Sequence, residues 1–572
     1  MIQPKYVALT GLFADRVFRI PSYQRFYSWQ WQQREDLFND IRTLSSVAGT
    51  GHHFMATIVC HNTGEKASVG STEYGVFEVV DGQQRITTLV ILLRAVAKKL
   101  ELGDDRKEVE SLLVKRDGNL LLLQTNNANQ ALFNEYLRTG NVPKVNQVHT
   151  HADRNLQAGI IQCENFVDLW IKTGKGYLEL LLLIKNRLGF VVYDTEDKCS
   201  VYTVFEVLNS RGLDVDWLDK CKSILMGRAF ETATTQPAQT AAIQELESRW
   251  GNIYQRLAMF DVSGQEVLRV TASTRCDIDA GKPLSAEDSL AKLKGLSVSP
   301  DITQEITGWL FKTADALVQL EKNKHLGPVT GILHARVLAV AIMLAEQLNE
   351  NEKVSCLDQW ERVTFRIFGL LRKDSRTKVG DYVRLARKIL RQEPSATTAK
   401  EILAGLKTLG ADFPVDTSVE VGLTKQNCYY GFESECRYLL WRYEEHLAKQ
   451  AGAAVNQELR AKIWEARTAA ETIEHIYPQN PEAGGSWDGK LSPGEKLEQQ
   501  VHRIGNLLLL PQALNSEASR KTFSAKKAAY AKSEGLRIVK EVVQKDDWRQ
   551  TEIEEREAAI IAWAKTTWAD LP

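Results

Sequence analysis

Glu474 and His475 stand side by side in the string ETIEHIYPQ, residues 471–479, and Asn506 and Asn515 follow in VHRIGNLLLLPQALN, residues 501–515. Residues of these types can hydrolyse a phosphodiester. That reaction needs an activated water, a neutralised phosphate and a stabilised leaving oxygen. A divalent metal on oxygen ligands supplies the last two, and a neutral histidine supplies the first as general base. An asparagine on a helix behind the two segments can offer its amide oxygen to the metal. Hard oxygen ligands with open water positions favour magnesium or manganese. Neighbours on a strand point to opposite faces, so a twist or bulge is expected to bring Glu474 and His475 to one phosphate. His502 is a candidate phosphate contact, with a hydrogen bond inside the hairpin as its plainer role.

A second set lies near the other end. Three polar turns each carry an arginine: Arg25 in IPSYQRFYSW, residues 20–29, Arg85 in DGQQR, residues 81–85, and Arg211 in FEVLNSRGL, residues 205–213. A guanidinium binds phosphate bidentately. A helix starting just after DGQQR would add a dipole that favours an anion. Plainer roles exist for the same strings. Tyr23, Tyr27, Trp29 and Trp31 suit a core, and Gln83 and Gln84 suit the cap of a helix near Ile86. GGSWDGK, residues 484–490, has GxxxxGK spacing, but Leu491 follows where a P-loop needs Ser or Thr. No suitable apolar strand precedes it, so it is rejected as a P-loop.

The elements that must position these residues are legible in part. Val76–Val80 reads as a strand, and Ile86 to Leu100 repeats apolar residues at helical spacing. GFVVY, residues 189–193, is another strand, and Phe205–Asn209 reads as a helix end closed at Arg211-Gly212. Residues 231–410 read as mainly helical, with an irregular loop or join over residues 256–288. Residues 410–422 read as a linker, and residues 429–449 as a long amphipathic helix. Around the first set the expected order is strand, long polar loop, strand over residues 507–510, then helix.

Composition excludes several classes. The 572 residues suggest about three or four domains. No run of roughly 18 apolar residues exists, so no membrane span is expected, and residues 1–6 do not read as a signal peptide. The eight cysteines form no CxxC pair, which argues against zinc knuckles and for thiols in a reducing cytoplasm. With a formal net charge of −1, nucleic acid would have to be held by a local patch. Residues 361–391 hold ten Lys or Arg against three Asp or Glu. They include Arg372, Lys373, Arg376 and Lys378, candidates for the DNA backbone beside the plainer role of a solvated face.

EHIxPQ, then IGNLxLL, then an Asn nine residues after the first resembles the HNH nucleases of the His-Me finger class, which have a ββα-metal fold. The resemblance implies Glu474 and Asn515 as metal ligands, His475 as general base, and Asn506 as the residue that holds the hairpin and orients the base. SRKTFSAK, residues 519–526, is similar to that family's tail, with Arg520 where Asn is usual. YQRFYSW, DGQQR and NSRGL together resemble the N-terminal domain of GmrSD-type modification-dependent restriction enzymes, a ParB/sulfiredoxin-like fold associated with nucleotide hydrolysis. That resemblance implies nucleotide contacts at Asp81, Gln83, Gln84, Arg85, Asn209 and Arg211. It implies contacts to nucleotide or modified DNA at Tyr23, Gln24 and Arg25. VDWLDKCK, residues 215–222, keeps the family's charges at Asp219 and Lys222.

The expectation is an α+β multidomain chain. It comprises a mixed α/β nucleotide and sensor domain over residues 1–230, a helical DNA-binding spacer over 231–410, and an HNH nuclease domain over 411–572. Its expected activity is NTP-dependent or NTP-regulated cleavage of modified double-stranded DNA in cytoplasmic prokaryotic defence, as monomer or homodimer, with Mg2+ or Mn2+ and an NTP as cofactors. Two alternatives stand beside it: a ParB-like regulatory DNA-binding protein with an inactive nuclease module, and a toxin-like nuclease that cuts RNA.

Overall fold

The computed structural model describes residues 4–46, 52–115, 120–125, 129–197, 200–201, 204, 216–276, 281–323, 331–464, 466, 468–482 and 485–572. They form two compact units, Met1–Ala272 with Leu284–Val318, and Ser273–Pro283 with Gln319–Pro572. Among the described residues no helix is long and apolar enough to cross a membrane.

The first unit is built on a six-stranded mixed sheet. Its strands are β1 (Lys5–Ala8), β2 (Arg16–Ile20), β3 (His53–Val69), β4 (Thr72–Asp81), β5 (Leu123–Thr125) and β6 (Leu188–Thr195), in the order β1-β6-β3-β4-β2-β5. β3 and β4 run antiparallel as a hairpin, while β2 pairs parallel with both β4 and β5. The Gln83–Lys99 helix follows β4 directly and is buried over most of its length. It packs with the helices Trp31–Ser46, His151–Trp170 and Tyr177–Arg187 around one apolar core. The turn between strand and helix requires glycine. Gly82 has φ +87°, and a Cβ there would lie 2.4 Å from Ile58 Cδ1.

Among its described residues the second unit is helical apart from one small hairpin, β7 (Ile473–His475) paired antiparallel with β8 (Leu507–Leu509). Helices Gln512–Ala518, Phe523–Tyr530 and Gln550–Thr567 close over it. Three sequence expectations change here. Residues 256–288 contain a helix, Gly264–Arg275, and residues 410–422 are not a linker but lie in the helices Ala399–Gly410 and Val415–Leu423. Gly264, Gly410 and Pro414 sit at helix ends, where they cost little. The helix expected from residue 429 begins at Glu433, because Gly431 takes φ +76° and interrupts the chain. The helix end expected at Phe205–Asn209, with Asn209 and Arg211, lies outside the described residues.

Candidate functional site

Two clefts gather the sequence candidates, one in each unit.

In the first unit, Asp81 ends β4 and Gly82 turns the chain. Gln83, Gln84 and Arg85 then form the first turn of the helix. A cleft of about 510 Å³ opens at this turn, lined by Gln24, Arg25, Trp29, Asp36, Asp40, Asp81–Arg85 and Asp219. Gln83 and Gln84 do not cap the helix. Gln84 Oε1 accepts from Ser28 N at 2.8 Å and its Nε2 donates to Phe26 O at 2.9 Å, so it fixes the YQRFYSW segment. Gln24 Nε2 donates to Val80 O at 2.9 Å. The aromatics divide: Tyr23 and Tyr27 are buried, Trp29 is partly buried with Arg85 stacked 5.7 Å from its ring centroid, and Trp31 is exposed.

Sequence reasoning underrated the support behind this segment. Lys222 is 2% exposed, and its Nζ donates to Gln24 Oε1 at 2.8 Å and Tyr23 O at 3.3 Å. Asp219 pairs with Arg25 Nε at 3.0 Å and accepts from Tyr254 OH at 2.5 Å. The DKCK string, residues 219–222, signalled the first two, since residues i and i+3 share a helix face, but nothing local signalled Tyr254. Burial raises the Asp81 carboxyl to about 6, against the pull of the Gly82 N–H and Arg85. Burial also lowers Arg85. Gln83, which lines the cleft, has its Oε1 buried without a hydrogen-bond partner, an acceptor that a ligand donor would satisfy.

In the second unit, Glu474, His475 and Asn515 line one cleft of about 400 Å³, with Tyr429, Gln479, Asn480, Ser516, Ser519 and Arg520. The β7–β8 register runs unbroken from Ile473↔Leu509 to His475↔Leu507. No bulge is present. β7 stops at His475, and the chain turns away before Pro478, so the last two residues of the strand reach the same space.

Glu474 is held from the helix behind. Lys526 Nζ donates to Glu474 Oε1 at 2.6 Å and to His475 O at 2.7 Å, and Tyr530 OH donates to the same Oε1 at 2.8 Å. Lys526 and Tyr530 are four apart on one helix face. Burial pushes Glu474 up and Lys526 down, against the attraction between them. His475 is kept neutral, lowered to about 3 first by burial and then by His502 and Lys526.

Asn506 is fully buried. Its Oδ1 accepts from Tyr477 N at 2.8 Å and Trp548 Nε1 at 3.0 Å, and its Nδ2 donates to Tyr477 O and Val501 O, both at 2.9 Å. Asn506 therefore ties the hairpin, as expected, but the His475 ring is held by other residues. Gln479 Nε2 lies 3.0 Å from its Nδ1, and His502 Nδ1 lies 3.0 Å from its Nε2. Gln479 closes the EHIxPQ string, yet the string alone gave it no role.

Asn515 Nδ2 donates to Glu471 O at 2.8 Å and Ile473 O at 3.3 Å, and the residue lines the cleft. The Lys526 and Tyr530 side chains both bond Oε1 of Glu474, and the His475 N–H also bonds its carboxylate. Among the described residues no group of three or more His, Cys, Asp and Glu is placed to hold a metal. One carboxylate oxygen and one amide oxygen suit a cation that keeps most of its water, as magnesium does.

The basic run over residues 361–391 is largely not a free face. Arg362 donates to Thr567 O and Ala569 O at 2.5 and 2.8 Å, Arg366 pairs with Asp570 at 2.8 Å, and Arg387 donates to Ser273 O at 3.1 Å. Lys378 pairs with Asp412 at 2.7 Å and Arg376 with Asp374 at 3.1 Å. The Arg372 guanidinium lies 3.5 Å from the Phe432 ring centroid and donates to Asn427 O at 3.1 Å. Lys373 and Arg376 are exposed. The run read as a solvated stripe because local spacing cannot show which carbonyls and carboxylates of distant segments need donors.

Residues 9–226 match the family model for the N-terminal domain of the GmrSD restriction endonuclease, and residues 413–563 match the model for the C-terminal domain of GmrSD restriction endonucleases. No curated protein matches the sequence.

Proposed function

Since the chain belongs to the GmrSD restriction endonuclease family, we propose that it is an NTP-regulated, metal-dependent endonuclease that cuts or nicks modified double-stranded DNA in prokaryotic defence. The observation that carries this reading is the convergence of Glu474, neutral His475 and Asn515 on one cleft inside the region matched by the C-terminal model. This is the donor set of a ββα-metal HNH site. His475 takes the proton of the attacking water. Glu474 and Asn515 would hold a magnesium or manganese ion, whose chemistry there would be phosphate neutralisation and stabilisation of the leaving oxygen. Lys526 keeps Glu474 oriented, and Asn506 keeps the hairpin closed.

The first-unit cleft is the nucleotide site in this reading. Arg85 and Trp29 offer a guanidinium and a ring, Gln83 Oε1 offers an unmet acceptor, and Gln24 and Arg25 form the wall that the modified DNA or the nucleotide touches, while Tyr23, a candidate for the same contact, is buried and does not line the cleft. Carboxylates outnumber guanidiniums there, so the nucleotide enters as its divalent-metal complex. Lys373 and Arg376 remain the exposed candidates for backbone phosphate. Cytoplasmic location, and a dimer where both strands are cut, complete the proposal.

The test is cleavage by purified chain with magnesium on plasmid, glucosylated DNA, phosphorothioated DNA and an RNA competitor, across the four NTPs. His475→Ala is expected to lower cleavage by about 10²–10⁴-fold. Wild-type cutting by that variant rejects the nuclease assignment, and RNA as the preferred substrate rejects the DNA reading. Unchanged NTP turnover in Asp81→Ala rejects the nucleotide site.

A further inference from the structure

Both ring nitrogens of His475 are occupied by side chains the nuclease reading does not use. With the Gln479 amide placed so that its Oε1 accepts from Tyr430 OH at 2.9 Å, its Nε2 donates to His475 Nδ1. Nδ1 is then the bare nitrogen. The proton of the neutral ring sits on Nε2 and is donated to His502 Nδ1 at 3.0 Å.

His502 is itself fixed on several sides. Its ring stacks on Tyr429 at 5.8 Å and 8°, and Tyr430 meets it edge-on at 4.6 Å. Its carbonyl accepts from Cys428 N at 2.9 Å. Asn427 Oδ1 accepts from the N–H groups of Tyr429 and Tyr430 at 3.0 and 2.9 Å. Tyr429 also meets the His475 ring edge-on at 4.6 Å.

We propose that His502 is a positioning residue for His475, holding the tautomer whose Nδ1 takes the proton, and that Gln479 covers that nitrogen until substrate and water displace it. The inference rests on the nuclease reading above. In the step itself a water proton passes to Nδ1 as the water oxygen bonds phosphorus and the P–O bond to the leaving oxygen breaks, while Nε2–H stays hydrogen-bonded to His502 Nδ1. The imidazolium that forms thus keeps an acceptor for its second N–H, the service a carboxylate gives in a triad. His502 is neutral and gives it more weakly. Tyr430 is 54% exposed at the cleft margin, so a strand of DNA entering there can break its bond to Gln479 and release the cap.

The test uses the full-length chain with magnesium and plasmid, in His475→Ala, His502→Ala, His502→Asn and Gln479→Ala forms. His502→Ala is expected to lower kcat about 10- to 100-fold with KM unchanged. His502→Asn, whose amide reaches the place of Nδ1, recovers most of that loss. Gln479→Ala is expected to raise kcat/KM about fivefold, the equivalent of one net hydrogen bond. Imidazole ¹⁵N spectra of the metal-free chain give a readout apart from activity. Wild type shows His475 protonated on Nε2, and His502→Ala shows mixed tautomers. An inert His475→Ala beside a His502→Ala of unchanged kcat and tautomer overturns the role of His502 alone. So does a His502→Asn no better than His502→Ala. A Gln479→Ala with lower kcat/KM overturns the cap. A His475→Ala that still cuts overturns the nuclease reading and this inference with it.

Discussion

Lys526 Nζ sits 2.6 Å from Glu474 Oε1, and both side chains are almost wholly buried. The pair spans 52 residues of sequence and joins the hairpin to the helix behind it. Breaking a buried pair by removing one partner costs about 3–5 kcal/mol, because the remaining charge is left without compensation. Lys526→Met is therefore expected to lower stability by that amount in urea titrations. Lys526→Met with Glu474→Gln should recover most of it. A double-variant loss equal to the sum of the two single-variant losses would show that the pair is not coupled.

Asp81 gives a pH dependence. Its carboxyl titrates at about 6 in the fold against about 3.9 unfolded. The folded state thus holds the proton more tightly, and stability falls as pH rises from about 4 to about 6, then levels. Asp81→Asn removes that loss. The variant is expected to exceed wild type by about 1–3 kcal/mol at pH 7, with the gain shrinking as pH falls through 6 and gone below about 4. Denaturant curves at pH 4 and 7 check it, and a gain that grows at low pH would reverse the sign.

Gly505 admits no side chain. A Cβ there would lie 2.0 Å from Ile553 O and 3.0 Å from Glu557 N, in the Gln550–Thr567 helix. Backbone cannot step aside as a flexible side-chain end can. Gly505→Ala is expected to cost about 1–3 kcal/mol or more by overpacking and to lower cleavage with it, since Arg556 Nη1 also binds Gly505 O and Leu507 O at 2.9 and 2.8 Å. An alanine variant with wild-type melting and activity would contradict that packing.

Arg372 separates support from DNA contact. Stacked on Phe432 and bound to Asn427 O, it holds the segment that carries Tyr429 and Tyr430. Arg372→Ala is expected to lower kcat and stability, the latter by about 1–2 kcal/mol, while the salt dependence of DNA binding stays as in wild type. Removing a phosphate contact at Lys373 or Arg376 should reduce the slope of log K against log salt by about 1. A reduced slope in Arg372→Ala would return Arg372 to the DNA.

The sequence by itself determined the pieces whose structure is local. The β-rich run before Asp81, the glycine at 82 and the helical repeat after it specify a strand, a turn and a helix, because each depends on neighbours a few residues away. The strand, loop, strand and helix around Glu474, His475, Asn506 and Asn515 were legible for the same reason. Only the tertiary structure decided what surrounds them. Lys526 on Glu474, His502 on His475, and Lys222 and Tyr254 beneath Gln24 and Arg25 are pairings across 27–198 residues, or through a shared partner, Asp219. No periodicity encodes such distances. The basic run at residues 361–391 shows the converse. Its spacing resembles a solvated face, yet Arg362, Arg366 and Arg387 donate to carbonyls and a carboxylate of remote segments. Chain folding alone brings those acceptors within reach.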